Sequence, residues 1–244
     1  MSFVIQYYNF WHLFILGLTV VLGVVLSLTL RKKSFKFRNN FMTALAIFNS
    51  IVYIFRVIWQ WNEPWYNFWE DLPLHLCGMT VIIFPLAMLI KGDLLKNFCY
   101  FISSAGGIMA LITPTVHFMN VNVYQVTVVS FFLQHIIITL FGILLCTLGI
   151  FRPTVKGALK SIGILGLACV VCHIVNLLIT HFELGVPNYM FTVDASSNAL
   201  LSLAYSIIPV QLLYLVAFLP LLLVFAAVFY LPFLIKDIRH KKAK

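Results

Sequence analysis

Long runs of apolar residues, separated by short polar gaps, follow one another along nearly the whole chain. A helix that crosses a membrane needs about 20 mostly apolar residues. A β-barrel would instead show alternating segments of about ten residues. The pattern therefore predicts an all-α bundle of membrane helices that forms one domain over residues 1–244. The seven predicted spans lie at about 11–30, 40–61, 73–90, 97–113, 126–150, 158–180 and 208–235.

Two of the predicted spans carry residues that disturb a regular helix. The fourth is short and contains Gly106 and Gly107, so we expect it to be tilted, broken or re-entrant. The seventh contains Pro209, Pro220 and Pro232. Because proline removes a backbone hydrogen bond and kinks a helix, we expect irregular backbone there as well.

The positions of the basic residues predict the orientation of the chain in the membrane. Fifteen of the sixteen Lys and Arg residues lie in alternate gaps between the apolar runs or at the end of the chain. Basic residues collect on the cytoplasmic side of membrane proteins. We therefore expect the N-terminus outside and the C-terminus in the cytoplasm. The sixteenth basic residue, Arg56, lies inside the second span.

Composition agrees with a membrane protein and argues against two other classes. Of the 244 residues, 62% are hydrophobic and 9% are charged, whereas a soluble domain carries about 25% charged residues. The net charge of +9 would suit a nucleic-acid-binding protein, but the basic residues flank membrane spans. Membrane lipids, and not nucleic acid, are therefore the expected partners. The five cysteines lie within or beside apolar runs, which is not the pattern of a secreted disulfide framework.

Ionisable and amide side chains gather in the predicted outer half of the membrane. Such residues are costly in lipid and usually face the interior of a bundle or a wet cavity. The inner half carries no comparable set, so we expect a polar site open toward the outside. Four spans contribute its residues: Arg56, Asp71, His75, Cys77, His135, His173 and Asn176.

Each of these residues has a structural and a functional interpretation. Arg56 could extend its long side chain to the interface, pair with Glu70 or Asp71, or bind a phosphate or carboxylate. His75 and Cys77 are separated by about 200° around a helix, so His75 is not expected to be the base for Cys77.

The residues of the later spans leave similar alternatives open. His135 could be a neutral histidine that is hydrogen-bonded to another helix. His173 and Asn176 share one helix face and could either join two helices or line a cavity. The outer segment 181–206 is too long for a tight turn, so it predicts a lid or a half-inserted segment.

A metal site is the competing interpretation for a set of His and Cys residues. The CxxC spacing of Cys169 and Cys172 falls in the middle of an apolar helix, and no HxxxH pair occurs in a span. The carboxylates lie at the helix edge. We therefore expect neither a metal ion nor another cofactor.

The string Leu72-Pro73-Leu74-His75-Leu76-Cys77-Gly78, after an outer loop rich in aromatic and acidic residues, resembles the YwaF family of bacterial integral membrane proteins. That family is similar in turn to the vertebrate transmembrane protein 164 group. The resemblance covers nearly the whole chain. Further features agree in order: Gly106-Gly107 ahead of Thr113-Pro114, then His135, then Asn176, then Asn188-Tyr189-Met190.

The resemblance implies a seven-span protein of the bacterial cell membrane. From the vertebrate relatives it implies acyl transfer between phospholipids through a cysteine and a histidine, and these roles fall on Cys77 and His135. A thiol needs such a base to form the attacking thiolate. Counted from the predicted span ends, His135 lies deeper than Cys77, so a kink, a tilt or a short span must bring them together. Substrate binding or support is expected of Arg56, Asp71, His75, His173, Asn176, Asn188 and Tyr189.

Two other functions stay open from the sequence. One is an outward-facing protein that binds or transports an anion or a small solute. The other is a non-catalytic scaffold in which the polar residues only join helices. The inner half of the membrane offers little polar material, so a lipid-directed acyltransferase or hydrolase is the leading hypothesis. In that hypothesis Arg56 could hold a lipid phosphate, and Asn176 or the backbone near Cys77 could donate to an oxyanion.

Overall fold

The protein is mostly helical over the residues that the computed structural model describes, 3–196 and 199–242. The strands within these residues are β1 (Val4–Ile5) and β2 (Val121–Asn122), which pair antiparallel. The predicted all-α membrane bundle is therefore confirmed. The α-helices are α1 (Phe10–Leu30), α2 (Phe35–Gln60), α3 (Leu76–Leu89), α4 (Leu94–Phe98), α5 (Ser104–Ile112), α6 (Val126–Thr147), α7 (Val155–His181), α8 (Ala199–Ile207) and α9 (Leu219–Lys242).

Six helical segments of the described chain are long and apolar enough to cross a membrane. Four are single helices, α1, α2, α6 and α7, and two are composite, Leu94–Ile112 and Leu213–Arg239. The third predicted span, 73–90, forms only the 14-residue helix α3, which extends about 21 Å. Because the hydrocarbon core of a bilayer is about 30 Å thick, seven complete spans and the orientation remain predictions.

The seventh predicted span has the irregular backbone that its prolines predicted, whereas Gly106 and Gly107 of the fourth lie within the regular helix α5. In the fourth, a π-helical turn, Cys99–Ser103, separates α4 from α5. In the seventh, α8 ends before Pro209, and a 3-10 turn, Leu213–Phe218, leads into α9. Pro220 is the second residue of α9, where a missing N–H group costs no helical hydrogen bond. Pro232, in contrast, lies inside that helix.

Helix α6 is the most buried helix of the bundle core. Fifteen of its 22 residues are buried, against two of the 21 residues of α1, whose apolar surface is left to lipid. Close approach to α6 requires a small residue, because a Cβ atom at Gly142 would lie 2.3 Å from the carbonyl oxygen of Cys99. The burial of α6 places its polar residues Gln134 and His135 inside the bundle.

Helix α3 contains a proline whose missing hydrogen bond is replaced by its neighbour α2. Pro85 has no N–H group to donate to the carbonyl oxygen of Val81, one turn earlier. The hydroxyl of Ser50 donates to that oxygen instead, at 2.7 Å. Since an unpaired backbone group is costly in lipid, this bond allows α3 to keep Pro85 and to pack against α2.

A buried histidine that the sequence analysis did not select fixes the start of α1. The side chain of His12 is fully buried, its Nδ1 accepts from the N–H group of Tyr8 at 3.0 Å, and its Nε2 donates to the carbonyl oxygen of Leu111 at 2.7 Å. A backbone N–H only donates and a carbonyl only accepts, so these bonds define a neutral imidazole with its proton on Nε2. His12 therefore joins the N-terminal segment to the end of α5.

Candidate functional site

A cavity of about 1950 Å³ lies among α2, α3, α5, α6, α7 and α9 and is closed on one side by the loops before α3 and after α7. The structure brings six of the nine predicted site residues to its wall. The other three, His173, Asn176 and Tyr189, do not line it. The six lining residues are Arg56, Asp71, His75, Cys77, His135 and Asn188.

Cys77 is the second residue of α3, directly after the N-cap residue His75 and Leu76. Two residues of the string that carries the family resemblance, Pro73 and Gly78, are needed for the shape of the chain before α3. A Cβ atom at position 78 would lie 2.8 Å from the Cα atom of Pro73, so the chain can enter the helix this closely only with Gly78. The N-terminus of a helix carries unpaired N–H groups and the positive end of the helix dipole.

The backbone of Cys77 is held by three helices. Its carbonyl oxygen accepts from the Thr80 hydroxyl at 2.5 Å and from Nε2 of Gln134, on α6, at 3.1 Å. Asn49, on α2, donates to the Thr80 hydroxyl at 3.0 Å. The side chains of Asn49, Thr80 and Gln134 are fully buried. The hydrogen bonds therefore fix the position of Cys77 relative to both α2 and α6.

His135 lies beside Gln134 and is 4% exposed. Its Nδ1 is 2.8 Å from the carbonyl oxygen of Phe131. Because a carbonyl only accepts, Nδ1 carries the proton of the neutral ring, and Nε2 is left with a free lone pair. The bond from Gln134 to Cys77 places residues 77 and 135 at similar depth. Helix α3 begins only at Leu76, three residues after the predicted start of the third span, and the pairing of Cys77 with His135 stays a prediction.

Arg56 does not form the ion pair that was one of its three interpretations. In the described part of the chain, the salt bridges within 4.0 Å are Lys96–Asp93 and Arg152–Asp237. The Arg56 guanidinium instead lies 4.8 Å from the centre of the Tyr53 ring, and its Nε is buried without a hydrogen-bond partner.

Asp71 lies in the loop before α3 and lines the same cavity as Arg56. Burial raises the pKa of the Asp71 carboxyl, the charge of Arg56 partly offsets this, and the charge of Glu70 adds to it. The ionised form of Asp71 is therefore less favourable than in water. A cation bound nearby would favour it.

Tyr189 supports the start of α3 from outside the cavity. Its hydroxyl accepts from the N–H group of Leu72 at 3.1 Å and donates to the carbonyl oxygen of Trp69. Its ring packs against the imidazole of His75 with centroids 5.5 Å apart, and Phe191 lies on the same imidazole at 5.2 Å. His75 is thus held between two aromatic rings.

Asn176 and His173 hold the turn that contains Tyr189. The amide of Asn176 donates to the Tyr189 carbonyl oxygen and to the Thr192 hydroxyl, each at 3.0 Å, and accepts from the Tyr189 N–H group at 3.0 Å. Nδ1 of His173 is 3.2 Å from the same Thr192 hydroxyl. Both N–H groups of Asn176 are therefore used within this turn, and Asn176 does not line the cavity.

The turn carries backbone strain where it meets the cavity. Met190 and Phe191 both have positive φ, 56° and 57°, which is uncommon for residues other than glycine and is often found at functional sites. Asn188 braces the turn, since its side chain accepts from the N–H group of Asp194 at 3.1 Å and donates to its carbonyl oxygen at 2.7 Å. The predicted outer segment 181–206 is thus a wall of the cavity up to residue 196. Residues 197 and 198 lie outside the described residues.

Several residues at the site were not selected from the sequence. Gln134, Asn49 and Thr80 lie in apolar runs, and polar residues in such runs are usually explained as bonds between helices. Gln60 lies near the end of the second predicted span, at 61. The signal that could have found Gln134 is its position next to His135 in an otherwise apolar helix. Within the described residues, no three His, Cys, Asp or Glu side chains lie close enough to hold a metal ion.

Comparison with known proteins gives one match. Neither a curated protein nor a solved structure matches the chain. The model of the TMEM164 family matches residues 7–235, which include all seven predicted spans and the site residues. The resemblance to the transmembrane protein 164 group is confirmed, and with the apolar helices it identifies a multi-pass membrane protein. The chain therefore belongs to the TMEM164 family.

Proposed function

We propose that this protein is a membrane-embedded enzyme that transfers or hydrolyses the acyl chains of phospholipids, with Cys77 as nucleophile and His135 as base. One observation carries the proposal. Cys77 and His135 line one cavity, and Gln134, the neighbour of His135, is bonded to the backbone of Cys77. Covalent acyl transfer requires the base within hydrogen-bond reach of the nucleophile, and the proposal is that the two side chains meet across this cavity.

In the first half of the reaction, Nε2 of His135 takes the thiol proton of Cys77, and the thiolate attacks the carbonyl carbon of a lipid ester. A carbon–sulfur bond forms, the carbon–oxygen bond of the ester breaks, and the departing alcohol takes the proton from His135. In the second half, an acceptor alcohol or water gives its proton to His135 and attacks the thioester. The acyl group leaves on the new oxygen, and the Cys77 sulfur regains its proton.

The surroundings of Cys77 suit this chemistry. The N–H groups at the start of α3 can donate to the oxyanion that forms during attack. Away from the two loops, the cavity wall is mostly apolar and includes Ile138, Leu165 and Phe225. Such a wall accepts acyl chains and gives little to a polar solute.

The test is a search for the acyl-enzyme. The purified protein in phosphatidylcholine nanodiscs would be analysed by intact-protein mass spectrometry for an adduct of one acyl group that hydroxylamine removes. Cys169 also lines the cavity, on α7, so Cys169→Ala is a matched control for Cys77→Ala. We expect the adduct in the wild type and in Cys169→Ala, and none in Cys77→Ala.

His135→Ala is expected to slow adduct formation by roughly 100-fold or more, because the thiol then lacks its base. An adduct that persists in Cys77→Ala, or a wild type that is never acylated by any phospholipid, contradicts the proposal. The second candidate, an anion-binding protein without catalysis, is favoured by the unpaired Arg56. It predicts that Cys77→Ala keeps full function while Arg56→Gln loses it.

A further inference from the structure

Two polar side chains near the outer end of α2 line the cavity, and each has one buried atom without a hydrogen-bond partner. Arg56 and Gln60 are four residues apart, so they lie on one face of the helix, and both line the cavity. Gln60 is only 8% exposed, and its Oε1 is buried without a hydrogen bond, as is Nε of Arg56. A buried polar atom without a partner costs about 1–3 kcal/mol. The pair is therefore unfavourable unless something binds to it.

The carboxylates of the cavity do not satisfy this pair. Glu63, Glu70 and Asp71 all line the cavity, but in the described residues no carboxylate lies within 4.0 Å of the guanidinium. Glu70 is engaged elsewhere, since its Oε1 accepts from the N–H group of Val186 at 2.8 Å. The charge of Arg56 is thus left to act on whatever enters the cavity.

The distance from this pair to Cys77 can be derived from helix geometry. Asn49 bonds to Thr80, and the Tyr53 hydroxyl bonds to the carbonyl oxygen of Asp71, so α2 runs antiparallel to the chain around α3. Cys77 is therefore level with about residue 52 of α2. At 1.5 Å per residue, Arg56 lies about 6 Å and Gln60 about 12 Å further toward the predicted outer side.

We propose that Arg56 and Gln60 form an anion subsite that binds the phosphate of the substrate while its ester carbonyl lies at Cys77. This deepens the proposed function and rests on it for the position of the ester. The guanidinium donates charge-assisted hydrogen bonds to phosphate oxygens. The Gln60 amide donates to the same group, and its Oε1 accepts from a hydroxyl or amine of the ligand. The phosphate belongs either to a lipid headgroup or to a free phosphate ester.

The experiment measures binding separately from catalysis. Trp59 and Trp65 line the cavity near Arg56, so tryptophan fluorescence reports ligand binding. The purified Cys77→Ala protein, which cannot form an acyl-enzyme, would be titrated with dihexanoyl phosphatidylethanolamine, whose ammonium group can donate to Oε1 of Gln60, with dihexanoylglycerol, which lacks the phosphate, and with inorganic phosphate. Arg56→Gln and Gln60→Leu would be added to this background. Arg152→Gln is the matched control, since Arg152 is exposed and paired with Asp237 away from the cavity.

We expect Arg56→Gln to weaken binding of the phospholipid about 10- to 100-fold and Gln60→Leu about 3- to 10-fold, the ranges for a charged and a neutral hydrogen bond. Binding of dihexanoylglycerol should change less than about twofold, as should every ligand with Arg152→Gln. Competition by inorganic phosphate would identify a free phosphate as a ligand of the subsite. A lack of competition together with the loss in Arg56→Gln would assign the subsite to the lipid headgroup.

Equal binding of the phospholipid by Arg56→Gln and its background would overturn the subsite. So would an equal loss of dihexanoylglycerol binding, because the phosphate would then not be the recognised group. Thermal unfolding midpoints of all variants, measured on the same samples, separate a loss of binding from a loss of fold. A wild type that binds through Arg56 but is never acylated would refute the catalytic proposal and leave the anion subsite standing.

Discussion

Gln134→Leu should slow acylation of Cys77 without lowering the stability of the protein. The change removes the hydrogen bond from Nε2 of Gln134 to the carbonyl oxygen of Cys77. Hydrogen bonds between membrane helices contribute about 0.6 kcal/mol on average. The carbonyl oxygen is not orphaned, because the Thr80 hydroxyl still donates to it. The lost bond therefore costs little free energy of unfolding.

The same substitution also removes a buried polar atom that has no hydrogen-bond partner. Oε1 of Gln134 is buried without a partner, and such an atom costs about 1–3 kcal/mol. The free energy of unfolding of Gln134→Leu should therefore be unchanged or about 1 kcal/mol higher than that of the wild type. Acylation should nevertheless slow about 10-fold or more, because Cys77 loses the bond that fixes it relative to α6 and a small displacement of reacting groups has large effects on rate.

The assay compares two measurements on one sample. Single-turnover acylation, followed by intact-protein mass spectrometry, gives the rate, and the midpoint of thermal unfolding gives the stability. Gln134→Glu, which can no longer donate to the carbonyl oxygen when ionised but keeps the shape, is the companion variant. An unfolding midpoint that drops sharply, or an acylation rate equal to that of the wild type, would refute the reasoning.

Three further outcomes are expected. Gly142→Ala should lower the free energy of unfolding by more than about 2 kcal/mol, as measured by chemical or thermal unfolding. The new Cβ would lie 2.3 Å from the Cys99 carbonyl oxygen, and such a clash with the backbone is poorly relieved by small movements. Asn176→Ala leaves the buried N–H group of Tyr189 unpaired and removes one of the donors to its carbonyl oxygen, so the loop 182–196 should become sensitive to protease, and equal protection would contradict this role. Asp71→Asn should have an unfolding midpoint at pH 7 that is equal to or higher than that of the wild type. Burial raises the pKa of Asp71, so the ionised carboxylate, which is present above that pKa, destabilises the folded state. The difference from the wild type should shrink as the pH falls and Asp71 becomes protonated; a clearly lower midpoint at pH 7 would show that Asp71 is paired.

The helices of the bundle could be predicted from run length alone, because a long apolar segment in lipid must satisfy its own backbone. Run length could not show where α3 begins. The apolar residues that precede Leu76 form a loop that packs against the start of the helix, and they are not its first turn. This is evident only from the close contact between Pro73 and Gly78. The depth of Cys77 relative to His135 therefore could not be counted from the sequence.

The candidate site was predictable in part. The sequence placed Arg56 in a span but left three roles for it, since the choice depends on distances to Glu70 and Asp71 that spacing does not fix. Tyr189 was predicted as a site residue only because of the family resemblance. The structure supplies its physical reason, which is the hydrogen bond from the N–H group of Leu72 across more than 100 residues of sequence.

The bond between Ser50 and the carbonyl oxygen of Val81 has a consequence for how related chains can diverge. A relative that keeps the proline at position 85 but loses the hydroxyl at position 50 would expose an orphan acceptor to hydrocarbon. A relative without the proline restores the ordinary helical bond and frees position 50 to become apolar. The two positions should therefore covary across the family, although they lie 35 residues apart on different helices.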